Sequence, residues 1–222
     1  MPTPIHRHDV ERLAAQGAQL VEVLPADEYE EMHLPGALHL PLRQLSYGAA
    51  TERLEPGRPV IVYCWDSLCD MSPRAAWRLE ALGFHEVYDY TAGKADWLAA
   101  GLPIDGPGSG TTRVVDAIDR DVPTCHPSEA LAEVAARTRS AGWDLCVVVN
   151  ERRIVQGRLR LDRIDATSPD VVETMMELGP TTVRADAELA STTERMQQRG
   201  ATSLLVTTPD GALLGALSLR AR

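Results

Sequence analysis

Two thiols set the chemistry this chain could do. Cys64 ends the apolar run "RPVIVYC", Cys69 follows five residues later, and the helical pattern "RAAWRLEALG" begins after Ser72 and Pro73. A continuous apolar run of this length reads as a strand buried on both faces, so its end delivers Cys64 to the carboxyl edge of a sheet, where ligands and chemistry collect. Ser72 as N-cap and Pro73 as first helical residue aim the helix's positive end back at that cysteine. Unpaired amides there favour a thiolate and lower the thiol pKa below its free value of about 8.5. Cys64 is therefore the candidate nucleophile. Trp65, Asp66, Ser67, Leu68, Cys69, Asp70, Met71 and Ser72 form the candidate active-site loop, with Arg74 the nearest cation. The plainer reading makes Cys64 a small apolar residue closing a core strand and Arg74 a solvated helix residue. Asp66 and Asp70 oppose a thiolate and repel anionic donors.

Cys69 and Arg74 reproduce a C-x4-R spacing of their own, but Pro73 removes an amide from that cradle and Cys69 ends no strand, so Cys64 is preferred. Cys69 could instead resolve an oxidised or persulfidated Cys64 as a disulfide, which would make the pair a redox switch. A C-x5-R phosphatase loop is excluded, because the sixth residue after Cys64 is Asp70 and after Cys69 is Ala75. Four cysteines without regular spacing are too few for a disulfide framework, and no second ligand pair completes a zinc site, so no metal is expected.

The elements that must position Cys64 lie in the first half. Strand-like runs "QLVEV", "ALHL", "PVIVYC" and "EVYDY" alternate with helical patterns, as in an α/β domain with a mainly parallel sheet flanked by helices. Asp9 is the expected cap of "VERLAAQ", with Gly17 as its stop. The stretch "GLPIDGPGSGTT", residues 101–112, breaks all periodicity and marks a boundary near residue 108. This divides the chain into residues 1–107 and 112–222.

The second half repeats itself. Sliding it by 58 positions places Thr124 on Thr182, Leu131 on Leu189, Gly142 on Gly200, Val148 on Val206 and Gly157 on Gly215. Each copy, residues 112–168 and 169–222, reads as a helix followed by two short strands, and "TPDG" is a hairpin turn in the second. Copies of this size are expected to pack as one pseudo-symmetric α+β unit.

The net charge of −10 spreads along the chain and provides no footprint for nucleic acid. No run approaches the roughly 20 apolar residues of a membrane span, and Met1 to Val10 carries no signal-peptide core, so a cytoplasmic protein without a membrane partner is expected.

Three stretches of residues 5–105 resemble the rhodanese-type sulfurtransferases. These are "LVEVLPADEYEEMHLPGALHLPL", with Glu22, Glu28, Tyr29 and His33 to Ala37; "VIVYC" with "SPRAAWRLEALGF"; and "YDYTAGKADWLAAGLPI", with Gly93 and Trp97. The resemblance implies that Cys64 accepts sulfane sulfur from a small donor such as thiosulfate, holds it as a persulfide and passes it to a thiophilic acceptor, with loop amides stabilising the anionic sulfur and no cofactor required. The loop departs from the family pattern in its length and its two aspartates, Leu24 stands at a position commonly held by arginine, and Met32 replaces a glycine. These departures keep a non-catalytic sensory or scaffolding module open as the alternative. His33 belongs to a turn and reads as structural; no other histidine is given a role.

Residues 112–222 resemble a pair of CBS domains, carried by "VVDAI" and "VVETMM", by "VPTCHPSEAL" and "PTTVRADAEL", and by Gly157 and Gly215. The resemblance implies regulation or homodimerisation through the pair, with Thr124, Thr182 and Ser218 as ligand-binding positions for an adenine nucleotide. The positions of the ribose aspartate hold Arg163 and Ala221, which leaves adenosine without its carboxylate partner. Arg152, Arg153, Arg158, Arg160 and Arg163 form a local basic cluster that could meet phosphates. The alternation Arg158-Leu159-Arg160-Leu161 better fits a half-exposed strand with arginines facing water.

Overall fold

The computed structural model describes residues 1–165 and 168–219. The chain divides into two compact units, Met1–Thr111 and Thr112–Arg222.

In the first unit β1 (Thr3–Pro4), α1 (Arg7–Ala15), β2 (Gln19–Glu22), α2 (Ala26–Glu31), β3 (Leu38–His39), α3 (Tyr47–Arg53), β4 (Val60–Tyr63), α4 (Met71–Ala81), β5 (Val87–Tyr90) and α5 (Gly93–Ala99) follow one another. The strands form one sheet in the order β1-β5-β4-β2-β3, and every pairing is parallel. β2 and β4 are buried at every position, which is why they read as unbroken apolar runs. Strand alternation then sorts their side chains. Val60, Val62 and Cys64 join Val21, Val87, Ala75, Ala76 and Leu79 in the core beneath α4. Ile61 and Tyr63 join Leu20, Val10, Tyr90 and Trp97 in the core on the other face.

The start of α1 differs from expectation. Asp9 is not the cap of α1 but its third residue, its carboxylate accepting from the N–H of the N-cap His6 at 3.3 Å. Gly17 does end the helix, at φ 94°.

The second unit runs β6 (Thr124–Cys125), α6 (Leu131–Ser140), β7 (Leu145–Val149), β8 (Val155–Arg160), α7 (Val172–Met175), β9 (Glu177–Leu178), β10 (Thr182–Arg184), α8 (Leu189–Gln198), β11 (Ser203–Thr207) and β12 (Leu213–Ser218). Its sheets are ordered β6-β7-β8-β9 and β10-β11-β12. The repeat survives in detail: α6 and α8 superpose under the same 58-residue offset, and so do the bulges at Val148/Val149 and Val206/Thr207. Gly157 and Gly215 fall opposite Val148 and Val206. A Cβ on them would stand 2.9 Å from the Glu177 carbonyl oxygen and 2.4 Å from that of Asp119, so backbone contact requires glycine in both copies. The copies share a core of Val122, Leu145, Val147, Val149, Leu205, Leu213 and Ala216.

Candidate active site at the end of β4

Cys64 is the first residue after β4, at the carboxyl edge of the sheet, and is fully buried. Its main chain is gripped by the start of α5: Lys94 N–H donates to the Cys64 carbonyl at 3.0 Å and Ala95 N–H to that of Trp65 at 2.8 Å. Gly93 makes this approach with φ 60°, and a Cβ there would lie 2.5 Å from the Cys64 carbonyl oxygen. Neither L-side-chain geometry nor space admits another residue.

The loop closes over the thiol. Cys69 N–H donates to the Asp66 carbonyl at 3.1 Å, and Leu68 N–H to Asp66 Oδ1 at 2.9 Å. Asp66 is thus a buried brace of the loop, while Asp70 is exposed and loosely paired with Arg74 at 3.4 Å. Trp65, Cys69 and Met71 pack on the core beside Cys64, whereas Ser67 is exposed and Leu68 is 79% exposed. Arg74 is exposed and turned to Asp70.

Ser72 corrects the sequence reading. The helix begins at Met71 with Asp70 as N-cap, so Ser72 is its second residue and Pro73 its third. Instead of capping, the fully buried Ser72 side chain meets the Cys64 thiol, which donates to Ser72 Oγ at 3.4 Å and can reach the Cys69 carbonyl at 3.5 Å. The expected thiol pKa is corrected too. Burial pushes Cys64 up to about 12, the neighbouring Cys69 adds to the rise, and the Ser72 hydroxyl and amide oppose it without winning.

Sequence reasoning missed the group on the opposite face. Glu22, Tyr63 and Lys94 are each fully buried. Lys94 Nζ lies 2.6 Å from Glu22 Oε1 and donates to the Met32 and Glu28 carbonyls, and Tyr63 OH donates to Glu22 Oε2 at 2.7 Å. Leu34 N–H completes the network by donating to the Tyr63 oxygen at 3.0 Å. Lys94 Nζ also stands 5.3 Å from the Trp65 ring centroid, which ties this network to the loop. Burial raises the Glu22 pKa; Lys94 and Tyr63 pull it back. His33 and His39 stack on either side of Tyr29, at 3.9 and 4.5 Å, and fix the turn before β3.

A cleft of about 660 Å³ opens beside α4, with Val23, Leu42, Leu45 and Met71 in its wall and Arg43, Arg74 and Arg78 among its lining residues.

Residues 7–100 match the rhodanese-like domain family. Over 80 residues, 36% of this chain and 71% of the relative, the sequence is 35% identical to a thiosulfate sulfurtransferase of Coxiella burnetii. This chain belongs to the rhodanese-like family. The rhodanese-like region is also 35% identical over 94 residues to an HTH-type transcriptional regulator of Mycobacterium tuberculosis, covering 42% of this chain and 40% of that relative's length. Among solved structures, a CBS domain pair/ACT domain protein from Thermotoga maritima is 19% identical, with 49% of this chain and 90% of that chain covered at a TM-score of 0.43.

In the second unit the three positions read as ligand-binding do not fall on one sheet. Thr124 is on β6, while Thr182 and Ser218 flank β11 on β10 and β12, and both are exposed. Ala221 lies outside the described residues. Three arginines of the basic cluster are paired with acids: Arg158 and Arg163 share Glu177, and Arg160 meets Asp162. Leu159 and Leu161 are buried between them. Among the described residues no helix is long and apolar enough to cross a membrane.

Proposed function

We propose that the rhodanese-like unit is a sulfurtransferase in which Cys64 carries sulfane sulfur as a persulfide. The observation that supports this most directly is the place of Cys64, at the carboxyl end of the central strand, under the first turn of α4, with the Ser72 hydroxyl and amide directed at its sulfur. The arginines lining the adjacent cleft suit an anionic donor such as thiosulfate. Uptake requires the loop over the thiol to shift, because Cys64 is covered in the closed arrangement. The second unit is a CBS pair on this reading, supported by its two packed β-α-β-β copies, and serves regulation or homodimerisation.

A non-catalytic rhodanese-like module is the second reading, favoured by the buried thiol and its raised pKa. One experiment separates the two. Reduced protein is incubated with thiosulfate and, separately, 3-mercaptopyruvate, and its peptides are weighed for one added sulfur. The sulfurtransferase reading expects sulfur on the Cys64 peptide, its loss in Cys64→Ser and its retention in Cys69→Ser. Folded protein that takes sulfur from neither donor refutes it.

A further inference from the structure

The loop that covers Cys64 carries a second thiol, and its fold brings that thiol back toward the first. Cys69 N–H donates to the Asp66 carbonyl at 3.1 Å, and Leu68 N–H donates to Asp66 Oδ1 at 2.9 Å, so Asp66 sets a tight turn with its own buried side chain. Ser67 and Leu68, at the tip of that turn, face solvent. Cys69 returns inward and packs, half-buried, against the core cluster that contains Cys64. The Cys64 sulfur lies 3.5 Å from the Cys69 carbonyl oxygen. Backbone dimensions then place the Cys69 Cα within about 6 Å of that sulfur. A rotation of the Cys69 side chain with a small shift of the loop brings the two sulfurs together. The other two cysteines, Cys125 and Cys146, are buried in the core of the second unit. Loading also frees the loop to make this shift. The Cys64 S–H is the donor to Ser72 Oγ and to the Cys69 carbonyl, and a persulfide has no hydrogen on that sulfur, so a tether of the Cys69 backbone is lost once sulfur is carried.

We propose that Cys69 is the resolving thiol of Cys64: it displaces the sulfur carried there as hydrosulfide and closes a Cys64–Cys69 disulfide. This rests on the sulfur-carrier reading above and adds a second outcome to it, the release of sulfide without a separate acceptor. In the step, the Cys69 sulfur bonds to Cys64 Sγ, and the bond from Cys64 Sγ to the outer sulfur breaks. The electron pair of the broken bond leaves with the outer sulfur, which takes the Cys69 thiol proton and departs as HS⁻. Counted from the two thiols and the sulfane sulfur, each cysteine is oxidised by one electron and the sulfane sulfur is reduced by two, so no outside oxidant is required. A dithiol reductant from solvent reopens the pair: it attacks the half-buried Cys69 sulfur, displaces Cys64 as the thiolate and becomes a disulfide itself. A disulfide that closes so short a loop and is open to solvent at one sulfur is of the readily reduced kind. The substrates of this route are a sulfane-sulfur donor and a dithiol, and its products are sulfide, the donor remnant and the oxidised dithiol.

The test is a single turnover without reductant. The reduced full chain is loaded with thiosulfate, the donor and sulfite are removed by gel filtration in the absence of oxygen, and nothing further is added. Released sulfide is followed by a colorimetric assay, and the peptide that carries both cysteines is weighed and fragmented over time. In the wild type that peptide first gains a sulfur and then becomes lighter than the starting peptide by two hydrogen atoms. Sulfide and the Cys64–Cys69 disulfide appear in equal amounts, at a rate independent of protein concentration. Cys69→Ser keeps its sulfur and releases sulfide about 100-fold more slowly, because the neighbouring thiol is gone. Circular dichroism checks the fold of the variant; should it not fold, the disulfide mapped in the wild type carries the test. Sulfur that stays on Cys64 in the wild type overturns the proposal and leaves the carrier reading intact. So does sulfide release at the wild-type rate in folded Cys69→Ser, or a rate that scales with protein concentration. A second arm replaces the donor by diamide, a thiol oxidant, and expects the same disulfide. If neither thiosulfate nor 3-mercaptopyruvate loads sulfur but diamide links the two cysteines, the carrier reading fails and Cys69 stands as the partner of Cys64; if diamide links them no better, the proposal falls too.

Discussion

Replacing Lys94 by methionine removes the cation of a fully buried ion pair while nearly keeping its volume. Lys94 Nζ sits 2.6 Å from Glu22 Oε1 and satisfies two backbone carbonyls besides, and both side chains are 0% exposed. Breaking one partner of such a pair strands a charge in low dielectric and costs about 3–5 kcal/mol. The loss depends on pH in a direction set by Glu22. Burial already raises the Glu22 pKa above its ordinary 4.5, and Lys94 is the main influence holding it down. Without Lys94 the folded variant takes up a proton at a pH where the unfolded chain does not. The deficit is therefore greatest at high pH and shrinks by at most about 1.4 kcal/mol per unit as pH falls through the raised Glu22 pKa toward 4.5. Urea unfolding at several pH values, followed by the fluorescence of Trp65 and its neighbours, measures both magnitude and slope. The double variant Lys94→Met with Glu22→Gln recovers much of the loss at high pH, because no charge is left behind. A deficit under about 1 kcal/mol, or one that is the same at every pH, would refute the claim that Glu22 is held as a buried carboxylate by this lysine.

Two further outcomes follow from the packing around the loop. Gly93→Ala places a Cβ 2.5 Å from the Cys64 carbonyl oxygen at a φ of 60°, so it lowers stability by about 2–4 kcal/mol and slows persulfide formation about 100-fold by displacing the sulfur; wild-type values in chemical unfolding and in sulfur uptake would exclude that contact. Arg43→Glu reverses an exposed charge in the wall of the cleft, so it raises the KM for thiosulfate about three- to fivefold at low salt with kcat unchanged; an unaltered KM in steady-state assays would take the cleft off the donor's path.

What the sequence revealed follows a physical rule. β2 and β4 were legible because strands buried on both faces leave unbroken apolar runs, and the place of Cys64 at the sheet edge follows from where the run stops. The 58-residue repeat was legible because each copy meets the same kind of backbone contact at Gly157 and Gly215, whereas the bulges paired under that offset left no mark in the sequence reading. Ser72 was misread because the Ser-Pro pair is a local capping signal, whereas its role is set by a sulfur eight residues back that only the tertiary fold places beside it. Lys94 gave no signal at all. A lysine in the first turn of a short helix resembles a solvated residue until the fold brings Glu22, 72 positions earlier, against it.

The misjudged thiol pKa shows which effect wins when two are in competition. A helix start favours a thiolate by contact with a few amides, and Ser72 supplies that contact here. Removing the sulfur from water costs the charged form more, because desolvation acts on the whole ion and the amides on one side of it. A thiol at about 12 is ionised in only about one molecule in 10⁵ at neutral pH, so the buried form is chemically quiet. Reaction then needs the charge to be created and compensated within the same covered space, or the cover to be lifted. Lifting it returns the thiol toward about 8.5 and lets water reach the persulfide as well.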